Sequence, residues 1–127
     1  MSGHLLSGAL LFAAIAILAG CTGGKVTHAY TVAVDGNPQQ GKQFIESFGC
    51  GACHTIPGIQ TARGVVGPPL MFFSRRTMIA GELPNSPENL MHWIEDPTAI
   101  EPKTAMPNLG VRPDQAHDIA AYLYTLR

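Results

Sequence analysis

Residues 50–54 read Cys-Gly-Ala-Cys-His. Two thiols separated by two residues and followed at once by an imidazole form the C-x-x-C-H string of c-type haem attachment. The thiols of Cys50 and Cys53 reach the two vinyl groups on one porphyrin edge and form thioethers. His54 then lies under the iron as proximal ligand. Two other chemistries use a C-x-x-C pair. A thioredoxin-like dithiol follows a strand and opens a helix. Here the pair follows a helix signal, and no βαβ pattern surrounds it. A zinc site needs further Cys or a suitably spaced His pair. His28, His92 and His117 are not spaced as partners.

A second iron ligand must come from farther along the chain. The candidates are Met71, Met78, Met91, Met106, His92 and His117. Met106 stands in Thr104-Ala105-Met106-Pro107-Asn108, a Pro-bounded loop where a packing role is harder to justify than on a helix. Met71, Met78 and Met91 fall on expected helices and serve as gap-fillers. His117 reads as a solvated helix residue, and His92 neighbours an expected buried Trp. Met106 is therefore the expected distal ligand.

These groups need elements to hold them. Asn37 is a good N-cap and Pro38 suits the first helical position, so a helix starts there. Phe44, Ile45 and Phe48 form its apolar face. Gly49 and Gly51 weaken it as it reaches Cys50. Residues 55–70 hold Pro57, Gly58, Gly64, Gly67, Pro68 and Pro69 and read as loop. Residues 70–80 read as a short helix ending at Gly81. Ser86-Pro87 caps another helix, with Leu90, Trp93 and Ile94 on its buried face and Pro97 ending it. Pro97, Pro102, Pro107 and Gly110 exclude any long element over 97–110. Pro113 opens a last helix with the face Ala116, Ile119, Ala120, Leu123 and Leu126, although Arg112 is a poor N-cap. The fold class is all-α, with three to four short helices and long loops. Loops this long need something to pack on. One haem supplies the core that so short a chain would otherwise lack.

The first twenty residues are different in kind. Met1 to Gly20 contain no Lys, Arg, Asp or Glu. Leu5 to Ala19 would span about 22 Å as a helix, short of a hydrocarbon core of roughly 30 Å. This fits a secretory signal, and its end, Leu18-Ala19-Gly20-Cys21, resembles a bacterial lipobox. Residues 1–20 are then the signal peptide. Cys21 is the lipidated residue, and 21–37 form a flexible tether. The alternative is a single N-terminal membrane anchor. The n-region departs from the pattern in having no Lys or Arg, only His4. A weak alternation at Tyr30–Val34 could pair as a strand.

The whole 127-residue chain is 46% hydrophobic, 13% charged and near neutral at −1. That excludes a charge-rich disordered protein and a basic nucleic-acid binder. Its three cysteines divide as one for lipid and two for haem, with no disulfide expected. Export agrees with haem attachment, which occurs outside the cytoplasm.

Residues 38–127 resemble a class I, mitochondrial-type bacterial cytochrome c. The matching pieces are Gly41-Lys42-Gln43-Phe44-Ile45, Cys50-Gly51-Ala52-Cys53-His54, Gly67-Pro68-Pro69-Leu70, Asn89-Leu90 with Trp93-Ile94, Met106-Pro107 and Ala121-Tyr122-Leu123. The resemblance implies one covalently bound haem c ligated by His54 and Met106. It implies that Gly41 lets the first helix cross the last near Tyr122. Phe44 or Phe48 would share the role of an aromatic the family has at Ile45. Pro68 would offer its carbonyl to His54, and Trp93 with Arg75 or Arg76 would meet the haem propionates.

With both axial positions filled, the expected function is one-electron transfer in a respiratory chain. The order of residues 67–107 is similar to cytochrome domains that serve haem–copper terminal oxidases. Redox proteins and such an oxidase are the expected partners, at the periplasmic or outer face of a membrane. No small-molecule substrate is expected. The alternatives are a peroxidase-like haem enzyme with an open sixth position and a haem sensor. The charges are segregated: residues 47–81 carry Arg63, Arg75 and Arg76 without an acid, and residues 82–101 carry Glu82, Glu88, Glu95, Asp96 and Glu101 without a base.

Overall fold

The computed structural model describes residues 34–127. The expected signal segment, the tether to residue 33 and Cys21 lie outside the described residues. So does the alternation at Tyr30–Val34, except Val34, which is irregular chain half-buried against the core.

Helix α1 runs Pro38–Ser47, opened by Asn37, whose side chain accepts from the N–H groups of Gln39 (3.0 Å) and Gln40 (3.1 Å). Ile45 is its buried anchor. Phe44 and Phe48 flank it half-buried, their rings tilted with centroids 6.5 Å apart. Helix α2 runs Pro87–Glu95 behind Ser86, whose hydroxyl accepts from the Asn89 N–H at 3.2 Å. It buries Leu90, Trp93 and Ile94. Pro97 ends α2 and opens the single-turn helix α3, Pro97–Ile100. The Asp96 carboxylate caps α3 and lies below the usual carboxylate range, held there first by the Thr98 hydroxyl and then by the Ala99 N–H.

Helix α4, Pro113–Leu123, buries Ala116, Ile119, Ala120 and Leu123. Leu126 lies beyond its end, half-buried. Arg112 cannot cap with its own side chain. Instead Gln115, three residues on, accepts from the Arg112 backbone N–H at 3.0 Å, and the Arg112 guanidinium pairs with Asp114 at 2.8 Å. The start is therefore built from inside the helix, as in half of a capping box.

Helices α1 and α4 cross in near-backbone contact. A Cβ at Gly41 would stand 1.9 Å from the Asp118 carbonyl oxygen and 2.9 Å from the Ile119 nitrogen. The crossing is thus close and about one turn before Tyr122, near the residue the resemblance implies. Tyr122 instead donates its hydroxyl to the Pro57 carbonyl at 2.6 Å. The approach to α1 is also fixed on α4. Asp35 pairs with His117 at 2.7 Å, and the Asn37 N–H donates to Asp118 at 2.8 Å.

Residues 70–80 are not the expected helix. They form a 3-10 turn, Phe73–Arg75, and then strand β1, Met78–Ile79, paired antiparallel with β2, Leu83–Pro84. Phe72 has φ 55° and Arg76 is extended, which interrupts any α-helical path. The hairpin turns at Ala80 (φ 53°) and Gly81 (φ 82°), with the Glu82 N–H donating to the Ile79 carbonyl at 2.9 Å. Gly81 is therefore a turn residue and not a helix end. An alanine in the left-handed region costs about 1–2 kcal/mol. Ala80 is exposed, so Ala80→Gly should raise stability by about 1 kcal/mol despite the entropy that glycine adds to the unfolded chain. A urea midpoint at or below wild type would contradict this.

The architecture is helical with one small hairpin. Its core joins Ile45, Ile56, Phe73, Leu90, Trp93, Ile119 and Leu123. Among the described residues no helix is long and apolar enough to cross a membrane.

Candidate functional site

Gly49, at φ 70°, turns the chain out of α1 into the 3-10 turn Cys50–Ala52. Side chains at i and i+3 of a 3-10 turn eclipse one another, which sets the Cys50 and Cys53 thiols on one side. Both are free and half-buried. The Cys50 carbonyl accepts from the N–H groups of Cys53 (3.2 Å) and His54 (3.0 Å). Burial pushes the Cys50 thiol up, the opposite of the low-pKa thiolate of reactive dithiols.

The next loop folds back over this turn. The Gly64 N–H donates to the Gly51 carbonyl (3.0 Å), and the Gly67 N–H to the Cys53 carbonyl (2.8 Å). The Thr55 hydroxyl donates to the Gly64 carbonyl at 2.9 Å, and the Leu70 N–H to the Thr55 carbonyl at 2.8 Å. Between the two glycines, Val65 and Val66 remain 88% and 74% exposed, so this loop is set by its backbone and not by its side chains.

The loop exists to meet His54. His54 Nδ1 lies 2.7 Å from the Pro68 carbonyl, an acceptor, so Nδ1 carries the hydrogen and Nε2 presents its lone pair. A Cβ at Gly67 would fall 2.3 Å from Cε1 of the same ring. A Cβ at Gly64 would fall 2.3 Å from the Ala52 carbonyl oxygen. The imidazole is thus oriented by one hydrogen bond and one missing side chain.

The other expected site residues are dispersed around this centre. Met106 is half-buried against the core, its N–H donating to the Thr104 hydroxyl at 3.2 Å. Trp93 is buried on α2. Arg76 donates from its guanidinium to the Pro69 carbonyl, one residue past the acceptor of His54, and stacks 5.4 Å over the Phe73 ring. Arg75 is exposed and stacks 5.5 Å over Phe72, away from that contact. Gly64 and Thr55 help to build the site and carry no motif of their own. The clustered loop glycines are the one sequence signal that points toward the first of them.

A protein-family model described as Cytochrome c matches residues 38–127. The chain belongs to the cytochrome c family. Cytochrome c membership brings one covalently bound haem c and electron transfer as its function. The observed residues fit that group: two free thiols on one side of a tight turn and an imidazole held with Nε2 free. Among curated proteins, this cytochrome c is 37% identical over 92 residues to cytochrome c oxidase subunit 2 of Alkalihalophilus pseudofirmus, covering 69% of this chain and 25% of that protein. It is 28% identical over 88 residues to cytochrome c oxidase subunit 2 of Bacillus subtilis, covering 68% of this chain and 25% of that protein. The chain thus matches about a quarter of the length of these relatives.

Proposed function

We propose that this cytochrome c carries single electrons in a respiratory chain and delivers them to a haem–copper terminal oxidase. Cys50 and Cys53 would hold the haem by thioethers, and His54 and Met106 would ligate its iron. When bound, the haem supplies one-electron ferric–ferrous chemistry. The observation that carries the reading is the His54 Nδ1–Pro68 contact of 2.7 Å directly behind the paired thiols. It fixes the tautomer that leaves Nε2 to ligate and orients the ring. Trp93 and Arg76 would meet the propionates. Arg75 adds positive charge at a greater remove. The likeness to oxidase subunits supports the choice of acceptor. Residues 1–20 act as a lipoprotein signal, Cys21 carries the lipid, and 21–37 tether the domain 38–127 to the outer or periplasmic face of a membrane. Mass spectrometry of the mature protein should find an acylated Cys21 at its N-terminus.

Met106→Ala tests the ligation. Sulfur ligation raises the potential. The variant should lose the sulfur-to-ferric-iron charge-transfer band and shift the redox equilibrium toward ferric by about tenfold or more, at 59 mV per tenfold step. Electron delivery to the purified oxidase should fall with it. A wild-type resting state that lacks this band and turns over peroxide would overturn the proposal in favour of a haem enzyme.

A further inference from the structure

Asn85 follows the hairpin, and its amide joins three segments. Nδ2 donates to the carbonyls of Phe73 (3.1 Å) and Arg76 (3.0 Å), and Oδ1 accepts from the Tyr124 hydroxyl (2.7 Å). Its backbone N–H donates to the Thr77 carbonyl at 2.9 Å. Both amide protons and the carbonyl oxygen are engaged. A flipped amide would set its oxygen against two carbonyls, so only one orientation serves. Tyr124 is buried just past α4, with its ring edge-on to Phe73 at 5.8 Å. Burial first, and the charge of Glu88 second, push its hydroxyl up to about 12, so it stays a donor at any working pH.

The clamped turn carries Arg76. From there the guanidinium donates to the Pro69 carbonyl and, at 3.4 Å, to that of Met71. Pro69 adjoins Pro68, whose carbonyl accepts from His54. Hydrogen bonds and one peptide link therefore lead from the end of α4 through Tyr124, Asn85, Arg76, Pro69 and Pro68 to the imidazole.

We propose that Asn85, held by Tyr124, is a positioning residue for His54: it fixes the turn from which Arg76 grips the Pro68–Pro69 segment, and so sets the strength of the His54 Nδ1–H···O=C bond. This rests on His54 being an axial ligand. A firm bond at Nδ1 makes the ring a stronger donor and favours ferric iron. Loosening the clamp weakens that bond and favours ferrous iron. Neither variant removes the charge of Arg76.

The test uses the holo protein and two variants. Tyr124→Phe keeps the ring and its contact with Phe73 and removes only the hydroxyl. Asn85→Ala removes the clamp. The redox equilibrium is measured against a mediator of known potential, beside urea unfolding. Tyr124→Phe should shift the equilibrium toward ferrous by threefold or more, and Asn85→Ala farther in the same direction. The His54 Nδ1 hydrogen should also exchange faster in both. A lowered unfolding midpoint with an unmoved equilibrium would show a merely structural role and overturn the proposal, as would a shift toward ferric. If Asn85→Ala does not fold, Tyr124→Phe decides alone. A wild-type protein without a His/Met spectrum would overturn the ligand reading itself, an outcome visible before either variant is made.

Discussion

Gly41→Ala should remove about 3 kcal/mol of stability, the upper end of the ordinary cost of overpacking. The added Cβ would stand 1.9 Å from the Asp118 carbonyl oxygen and 2.4 Å from its carbon. Both are backbone atoms of a helix, and no flexible side chain can swing aside. The only relief is to part α1 from α4. That opens the seam beside Ile45, Ala116, Ile119 and Ala120, all of them buried. Alanine favours a helix over glycine by about 1 kcal/mol, which offsets only a part. Domains of this kind are stable by about 5–15 kcal/mol, so the variant should still fold with a much lower urea midpoint. A midpoint within the range of a 1 kcal/mol change would show that the crossing adjusts.

Gly67→Ala should act on the site more than on the fold. No left-handed backbone is required at Gly67, so the effect is purely the collision of a methyl group with the His54 ring at 2.3 to 2.9 Å. The ring must turn, and its hydrogen bond to Pro68 is lost. The stability cost is about 1 kcal/mol for the bond and about 1–3 kcal/mol for the crowding. The decisive reading is spectroscopic: a high-spin fraction in the ferric protein and a fall in the sulfur-to-iron band. Val66→Ala, one residue away and exposed, serves as the control and should change neither. A Gly67→Ala protein with a wild-type spectrum would remove the glycine from the account of how His54 is held.

Much of this arrangement was legible in the chain. Asn37-Pro38 and Ser86-Pro87 announce two helix starts because a capping side chain and a proline act locally. The spacing of Leu90, Trp93 and Ile94, and of Ala116, Ile119, Ala120 and Leu123, gives the buried faces. Cys50, Cys53 and His54 are adjacent, so their chemistry can be read without a fold. The errors lie where tertiary contacts decide. Leu70 to Ala80 has helical composition, but Phe72 and Ala80 sit at positive φ, which neither residue type signals. Gly81 marks a turn, and a turn glycine looks the same at a hairpin as at a helix end. That Gly41 meets α4 closely near Tyr122 agrees with the expectation, and its exact register at Asp118 depends on how two distant helices slide together. Asn85 and Tyr124 lie 39 residues apart, and nothing local links an asparagine after a hairpin to a tyrosine at the chain's end.

The fastening of Asp35 to His117 and of Asn37 to Asp118 has a mechanical meaning. Any pull arriving from residues before 34 is delivered to the seam between α1 and α4. The loops that carry His54 and Met106 lie downstream, off the path of that load. A domain held from its N-terminal side can therefore be tugged and reoriented while the groups proposed to bind iron keep their spacing, so motion of the mount need not become noise in the potential.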